Sequence, residues 1–372
     1  MDFHLDEELL AVQGLARDIL TDRAGTERVR AVEQTETRVD DSLLADLARA
    51  GLLGIALPEE HGGAGLGLGG LCVLLEEQGR TVAPVPLWSA GVAGLAVAAH
   101  GSESQRAQLL PALVDGSLRL TLAVEEYDGA HPASPRCTAT PSDGGWTIEG
   151  TKAVVPSAAW ASKALVSATT PEGPALFLLD LDAEAVAVEL TETTSRDRAA
   201  NLRLTGAPAE LLGEPGGSTV SWVLDRAAVA LAAIQVGVAE GALRLAAAYL
   251  SERQQFGRPL ATFQAVQHQL ADCYINIDAM RVTLWQAVTS LEDETTVAGA
   301  ERAVLVAKWW ADQAGLDVVH RVQHLHGGIG VDVDYPVHRY FLWGKQIATT
   351  LGGSAAALAD LGARLAVEEV AS

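Results

Sequence analysis

Cysteine is scarce in this chain: Cys72, Cys137 and Cys273 stand far apart, and there is no fourth. That spacing argues against a disulfide framework and against a paired metal motif, and it suits a reducing compartment, the cytoplasm. Basic runs are also missing. The balance of 26 basic against 48 acidic residues gives a net charge of −22, and without a basic stripe no nucleic-acid partner is expected. The apolar run at residues 227–234 is shorter than the roughly 18 residues of a membrane span, and Gln235 ends it, so no span is expected. The first residues include Asp2, Asp6, Glu7 and Glu8, whereas a secretory signal opens on positive charge. No G-x-S-x-G elbow accompanies His326-Gly327-Gly328, which argues against a serine hydrolase. His324 and His326 by themselves make no metal site.

What is present is a globular pattern in three parts, 49% hydrophobic over 372 residues. Residues 1–118 read as helices: Leu43, Leu44, Leu47 and Leu52 recur at helical spacing, and an apolar helix covers residues 71–78. Residues 119–214 change character. Short strand-like runs at 121–124, 146–149, 164–167 and 175–179 are punctuated by proline, glycine and aspartate, predicting a small β-barrel or sandwich. Residues 215–372 are helical again, with helices expected over 224–239, 266–288, 301–325 and 354–367, a four-helix bundle. The first of these is apolar on nearly every side, which predicts burial of both faces. The fold class is therefore α+β, helices then β then a helical bundle.

Two motifs invite function. The glycine-rich loop at 62–67 lies between helices, and a dinucleotide fingerprint must follow a strand, so a turn is the better account. The stretch Arg253-Gln254-Gln255-Phe256-Gly257-Arg258-Pro259-Leu260, followed by Phe263-Gln264, reads as a corner between two long helices. An arginine at such a corner can grip a diphosphate with its planar donors, though an ordinary helical hairpin would also carry exposed charges there.

These residues resemble the acyl-CoA dehydrogenase family, whose R-x-Q/T-F-G segment leads to F-Q and then L-A-D. Pro58-Glu59-Glu60-His61-Gly62-Gly63 is similar to the family's P-E-x-x-G-G loop, and Gly150-Thr151-Lys152 to its G-x-K strand. His324-Leu325-His326-Gly327-Gly328 is similar to its Q-x-x-G-G segment, with His324 in the glutamine place, and Tyr335-Pro336-Val337 matches the stretch before the last helix. The resemblance implies FAD as cofactor, an acyl-CoA substrate desaturated between Cα and Cβ, and an external acceptor that reoxidises the flavin. A glutamate takes the α-proton in such enzymes while the β-hydrogen leaves as hydride to the flavin.

Against that pattern the chain departs in places that matter. Leu351 occupies the usual base position, and it cannot accept a proton. The alternative base position, counted back from Arg253, falls at Ala227 or near Asp225, and Ile234 stands where many relatives carry a glutamate. Asp225 is the nearest carboxylate, in a place where a helix start is the more ordinary role. In the β-region Glu125 takes the threonine place of the family's T-E-P segment, and Pro156 replaces a residue whose N–H helps hold the flavin ring. What remains is the half-site used in trans, for the FAD of a neighbouring subunit: Arg253, Phe256, Leu260, Phe263, Gln264, His324, Gly327 and Gly328. The resemblance therefore implies the base-lacking subunit of an actinobacterial α2β2 acyl-CoA dehydrogenase, with a homologous partner and a bulky, steroid-derived acyl-CoA. Two competing expectations stand beside it: a self-sufficient dehydrogenase with an unusual base, or a non-redox protein that reuses the fold to bind CoA or assemble.

Overall fold

In the computed structural model, residues 5–371 are described, apart from 128, 130 and 293–296. Among these residues six α-helices come first: α1 (Glu7–Arg23), α2 (Thr26–Val32), α3 (Asp41–Arg49), α4 (Gly67–Thr81), α5 (Leu87–His100) and α6 (Glu103–Val114). Local chemistry sets their ends. Asp40 caps α3 by accepting the Leu43 N–H at 3.1 Å, and Ser102 with Gln105 forms a reciprocal capping box on α6. Leu43, Leu44 and Leu47 are buried along α3, as their spacing predicts, and Leu52 is buried just beyond its end.

Among the described residues seven strands follow: β1 (Leu120–Ala123), β2 (Thr138–Ser142), β3 (Gly145–Val155), β4 (Lys163–Thr170), β5 (Gly173–Asp180), β6 (Val186–Glu192) and β7 (Arg198–Leu212). They run β1-β4-β2-β3-β7-β5, and β5 pairs back onto β4, which closes the sheet on itself. β6 adds to β7 at the outside. Ile148, Val166, Phe177, Leu202 and Leu204 fill the interior, because alternate residues of each strand face inward.

The remainder is helical: α7 (Thr219–Glu252), a two-residue pairing β8 (Gln254–Gln255) with β9 (Arg258–Pro259), then α8 (Gln264–Glu292), α9 (Val297–His326), α10 (Val337–Thr349) and α11 (Gly353–Ala371). The four expected helices are α7, α8, α9 and α11, and α10 joins them over residues read in sequence as the approach to the last helix.

Packing divides the chain into two compact units that interleave in sequence. One comprises Met1–Thr26, Cys72–Ala83 and Ala228–Ser372, the other Glu27–Leu71 and Pro84–Ala227. Within the first, α4 and α7 cross with backbones almost touching. A Cβ on Gly237 would lie 1.9 Å from the Glu76 carbonyl oxygen, and one on Gly79 would lie 2.2 Å from that of Ile234. α7 is long and apolar enough to cross a membrane by length and composition, longer than the sequence reading allowed because Gln235 lies within it. Its most apolar window is 72% buried within the structure, and Gln235 is fully buried, which marks α7 as a core helix.

Candidate cofactor half-sites

The corner after α7 is a tight hairpin. Gln255 pairs with Arg258, and the two residues between them, Phe256 (φ 54°) and Gly257 (φ 80°), are both left-handed. Two positive φ values are what a two-residue hairpin turn requires, and glycine supplies one without strain. Phenylalanine does not. Phe256 accepts a strained backbone and leaves its ring 90% exposed, a double cost that marks functional surface rather than packing. Behind it, Phe263 meets Phe256 edge-on at 6.1 Å and carries the Arg258 guanidinium 4.1 Å over its ring. The Arg253 carbonyl accepts the Leu260 N–H at 2.8 Å, which ties the two sides of the corner together. Arg253 and Gln264 are exposed, while Leu260 and Phe263 are half-buried.

A second element packs against the end of α7 that leads into this corner. α9 ends at His326, and Gly327 (φ 62°) turns the chain out of the helix. His324 and both glycines are exposed, and a Cβ added to Gly327 or Gly328 would meet nothing within 4 Å. Gly328 has neither a left-handed backbone nor a crowding neighbour, so among the described residues nothing requires a glycine there. The ends of α7 and α9 are joined by rings: His326 stacks on Tyr249 at 4.9 Å and 18°, and Tyr335 packs against both. Sequence reasoning singled out neither Tyr249 nor the buried role of His326. Tyr249 lies one helical turn before Arg253, and that spacing was the available signal. His320 and His324 fall four apart on α9, the spacing of a helical metal pair, but His320 packs edge-on against Phe341 at 4.8 Å. No group of three or more metal-binding side chains occurs among the described residues.

The β-region is different in kind. Lys152 is fully buried, and its ammonium donates to Glu126 at 2.6 Å and to the Ser167 hydroxyl at 2.9 Å. Glu126 also accepts the N–H groups of Arg136 (2.7 Å) and Cys137 (3.1 Å). Burial works against the Glu126 carboxylate, but Lys152 and these amides outweigh it and hold the group below its ordinary range. Burial likewise pulls the Lys152 ammonium below its ordinary value. Around Pro156 the donors are consumed internally. The Thr121 hydroxyl donates to the Pro156 carbonyl at 2.6 Å. The N–H and hydroxyl of Ser157 both donate to Asp197, each at 2.8 Å, and the Val154 N–H donates to the Asn201 side chain at 3.1 Å. Tyr127 donates to the same Asn201 oxygen at 2.7 Å, and the Ala153 N–H goes to the Glu125 carbonyl at 2.9 Å. Asp128, in the stretch that resembles the family's T-E-P segment, lies outside the described residues.

Two positions bear on proton transfer. Leu351, between α10 and α11, is left-handed (φ 58°), and Gly352 and Gly353 continue the turn with φ of 94° and 72°. Three successive residues of positive φ make a sharply formed corner, and it presents leucine rather than a carboxylate. Asp225 lies in the second turn of α7 and is half-buried, beside Arg226, whose guanidinium covers the Trp222 ring at 3.5 Å. It lies inside the helix rather than at its start, since α7 begins at Thr219.

With this geometry in place, comparison with known proteins is direct. Residues 6–117 match the N-terminal domain of acyl-CoA dehydrogenases and residues 215–366 their C-terminal domain. The chain is 35% identical to the acyl-CoA dehydrogenase FadE27 of Mycobacterium tuberculosis over 98% of its own length and 99% of that protein. A chain of the Tcur3481-Tcur3483 steroid ACAD, G363A variant, superposes with a TM-score of 0.94 at 63% identity, covering 98% of this chain and 99% of that one. A chain of the ChsE4-ChsE5 complex from Mycobacterium tuberculosis gives 0.93 at 34% identity, with the same coverage of both chains. The chain belongs to the acyl-CoA dehydrogenase family, a family of flavin-dependent oxidoreductases whose cofactor is FAD.

Proposed function

We propose that this chain is the base-lacking subunit of a heteromeric, FAD-dependent acyl-CoA dehydrogenase, with a homologous subunit as its partner. One observation carries the reading: the two cofactor half-sites differ in the state of their donors. Around Pro156 the hydroxyls of Thr121 and Ser157 and the N–H groups of Val154 and Ser157 already donate within the chain. An isoalloxazine ring there would have to displace those bonds, and Pro156 offers it no N–H. The FAD ring therefore does not fit this β-region. The other half does fit, because Arg253, Gln264 and His324 are exposed and Gly327 and Gly328 leave open space for a diphosphate. Phe256, Leu260 and Phe263 would line its apolar flank.

When bound, FAD supplies the hydride acceptor. This chain's residues would grip its adenosine diphosphate end, while the partner holds the ring and supplies the base. The exposed apolar side chains of the first unit fit such a partner: Phe256 at the hairpin, with Tyr274 (67% exposed) and Ile275 (63%) on α8. Heteromeric relatives support the assembly, and the steroid ACAD among them supports a steroid-derived acyl-CoA as substrate. The three free cysteines are buried, which suits a reducing cytoplasm.

Visible absorption tests the reading. Purified alone, the chain should carry no flavin bands, and co-expressed with its homologous partner it should form a yellow complex. In that complex Arg253→Ala should weaken FAD binding by about tenfold, the scale of one charge-assisted contact. Flavin on the isolated chain, or activity of that chain abolished by Asp225→Asn, would instead identify a self-sufficient enzyme.

A further inference from the structure

Arg253 and Gly327 stand far apart in sequence, on the ends of two different helices, yet a shared diphosphate requires a fixed separation between them. Three rings join those ends. Tyr249 precedes Arg253 by one helical turn, and its carbonyl accepts the Arg253 N–H at 2.8 Å. His326 directly precedes Gly327 and lies flat on Tyr249, with ring centroids 4.9 Å apart. Tyr335, on the segment leading to α10, closes on Tyr249 at 6.1 Å and on His326 at 5.4 Å.

His326 is the unusual member. It is only 3% exposed, and its Nδ1 lies 2.8 Å from the Val322 carbonyl. A carbonyl can only accept, so Nδ1 carries the proton and Nε2 is left as an acceptor. No group among the described residues meets that Nε2. Burial opposes protonation and keeps the ring neutral. A buried acceptor without a donor costs stability, and leucine would fill the same space without that cost. The packing alone therefore does not ask for histidine. What imidazole adds is a flat ring whose rotation the Val322 bond fixes, so that it can face Tyr249 squarely.

We infer that Tyr249, His326 and Tyr335 form a positioning clamp that sets the separation of Arg253 from the Gly327-Gly328 turn, and thereby the grip on FAD. The inference rests on the proposed use of those residues as the half-site for the partner's cofactor. None of the three rings needs to touch FAD. Arg253 begins an exposed corner and Gly327 ends a helix, and without the clamp each would move independently. Holding both in place beforehand removes an ordering cost from cofactor binding.

The test uses the co-expressed complex, stripped of flavin and titrated with FAD by fluorescence, with thermal melting of the flavin-free complex alongside. Tyr249→Leu and His326→Leu keep apolar volume but lose the flat contact, and each should raise the FAD dissociation constant about tenfold. Tyr249→Phe, which restores the ring, should return it to within about threefold of wild type, while His326→Phe, which restores a ring without the Val322 bond, should recover part of the loss. Turnover at saturating FAD should be unchanged in all four. Leucine variants that bind FAD as tightly as wild type would overturn the clamp, as would phenylalanine variants no better than the leucine ones. If the leucine variants do not fold, Tyr335→Leu at the half-buried edge of the cluster takes their place under the same criterion. Arg253→Ala separates the two readings. Weakened binding there with unaffected leucine variants discards the clamp and keeps the grip, and unaffected binding in every variant discards the grip as well.

Discussion

Lys152 and Glu126 show how one buried pair can be read as structure rather than catalysis. Lys152 is wholly buried and its partners Glu126 and Ser167 both lie inside the β-region, so its charge serves the fold. Lys152→Met would leave the Glu126 carboxylate buried without its cation, a loss of about 3–5 kcal/mol for a broken buried pair. The pH dependence of that loss is informative. Because the fold holds Glu126 below its ordinary range, its contribution is present above the unfolded value and disappears as pH falls through the lowered one. Removing Lys152 leaves burial as the dominant influence and reverses the direction of the shift. The gap in melting temperature between wild type and Lys152→Met should therefore narrow as pH falls from 7 toward 4. A gap that stays constant or widens would mean that the pair is not ionised as described.

At the scale of elements, the crossing of α4 and α7 turns on Gly79 and Gly237. Gly237→Ala would place a methyl within 1.9 Å of the Glu76 carbonyl oxygen, a backbone atom that cannot swing aside. Overpacking of this kind costs about 1–3 kcal/mol or more, and chemical denaturation should show the loss directly. Alanine at Gly14, inside α1 where a Cβ meets nothing within 4 Å, is the matched control and should be neutral to stabilising by up to about 1 kcal/mol. The sequence announced α7 by its unbroken apolar character, yet it gave no sign of which glycines were contact points. The strands divide in the same way. β1, β3, β4 and β5 were legible because apolar residues cluster in them between turn residues. β6 was missed although Val186, Val188 and Leu190 alternate along it; it lies mostly exposed on the outside of β7, where only Val186 is buried. β7 was hidden by Gly206 and Pro208. Gly206 is left-handed (φ 65°) and bulges between the pairs Ile148–Ala207 and Glu149–Thr205, so the alternation is interrupted within one continuous strand. The corner at Arg253 was readable as a motif. The ring cluster behind it was not, because Tyr249, His326 and Tyr335 meet only through tertiary packing, which no periodicity encodes.

For the whole molecule, the decisive question is what covers its exposed apolar residues in solution. A chain of net charge −22 repels copies of itself, which favours a partner of complementary surface over uncontrolled self-association. On α8, Tyr274, Ile275 and Val282 are 67%, 63% and 44% exposed, whereas Cys273, Ile277 and Met280 on the same helix are buried. The helix thus has two apolar aspects, and among the described residues only one is covered. Ile275→Glu tests whether the second belongs to the homologous subunit. An isolated surface isoleucine tolerates this change within about 0.5 kcal/mol, so the melting temperature of the chain purified alone should hardly move. At a subunit interface the same carboxylate would be buried without a cation, at a cost of several kcal/mol, enough to dissociate the complex at micromolar concentration. Sedimentation of the co-expressed pair should then show separated subunits, and flavin absorbance should fall with them, because the half-site on this chain would no longer reach the partner's cofactor. Intact complexes with full flavin content would place the interface elsewhere on the chain. Separated subunits with the partner still yellow would show that the partner holds FAD unaided, leaving assembly rather than cofactor retention as this chain's contribution.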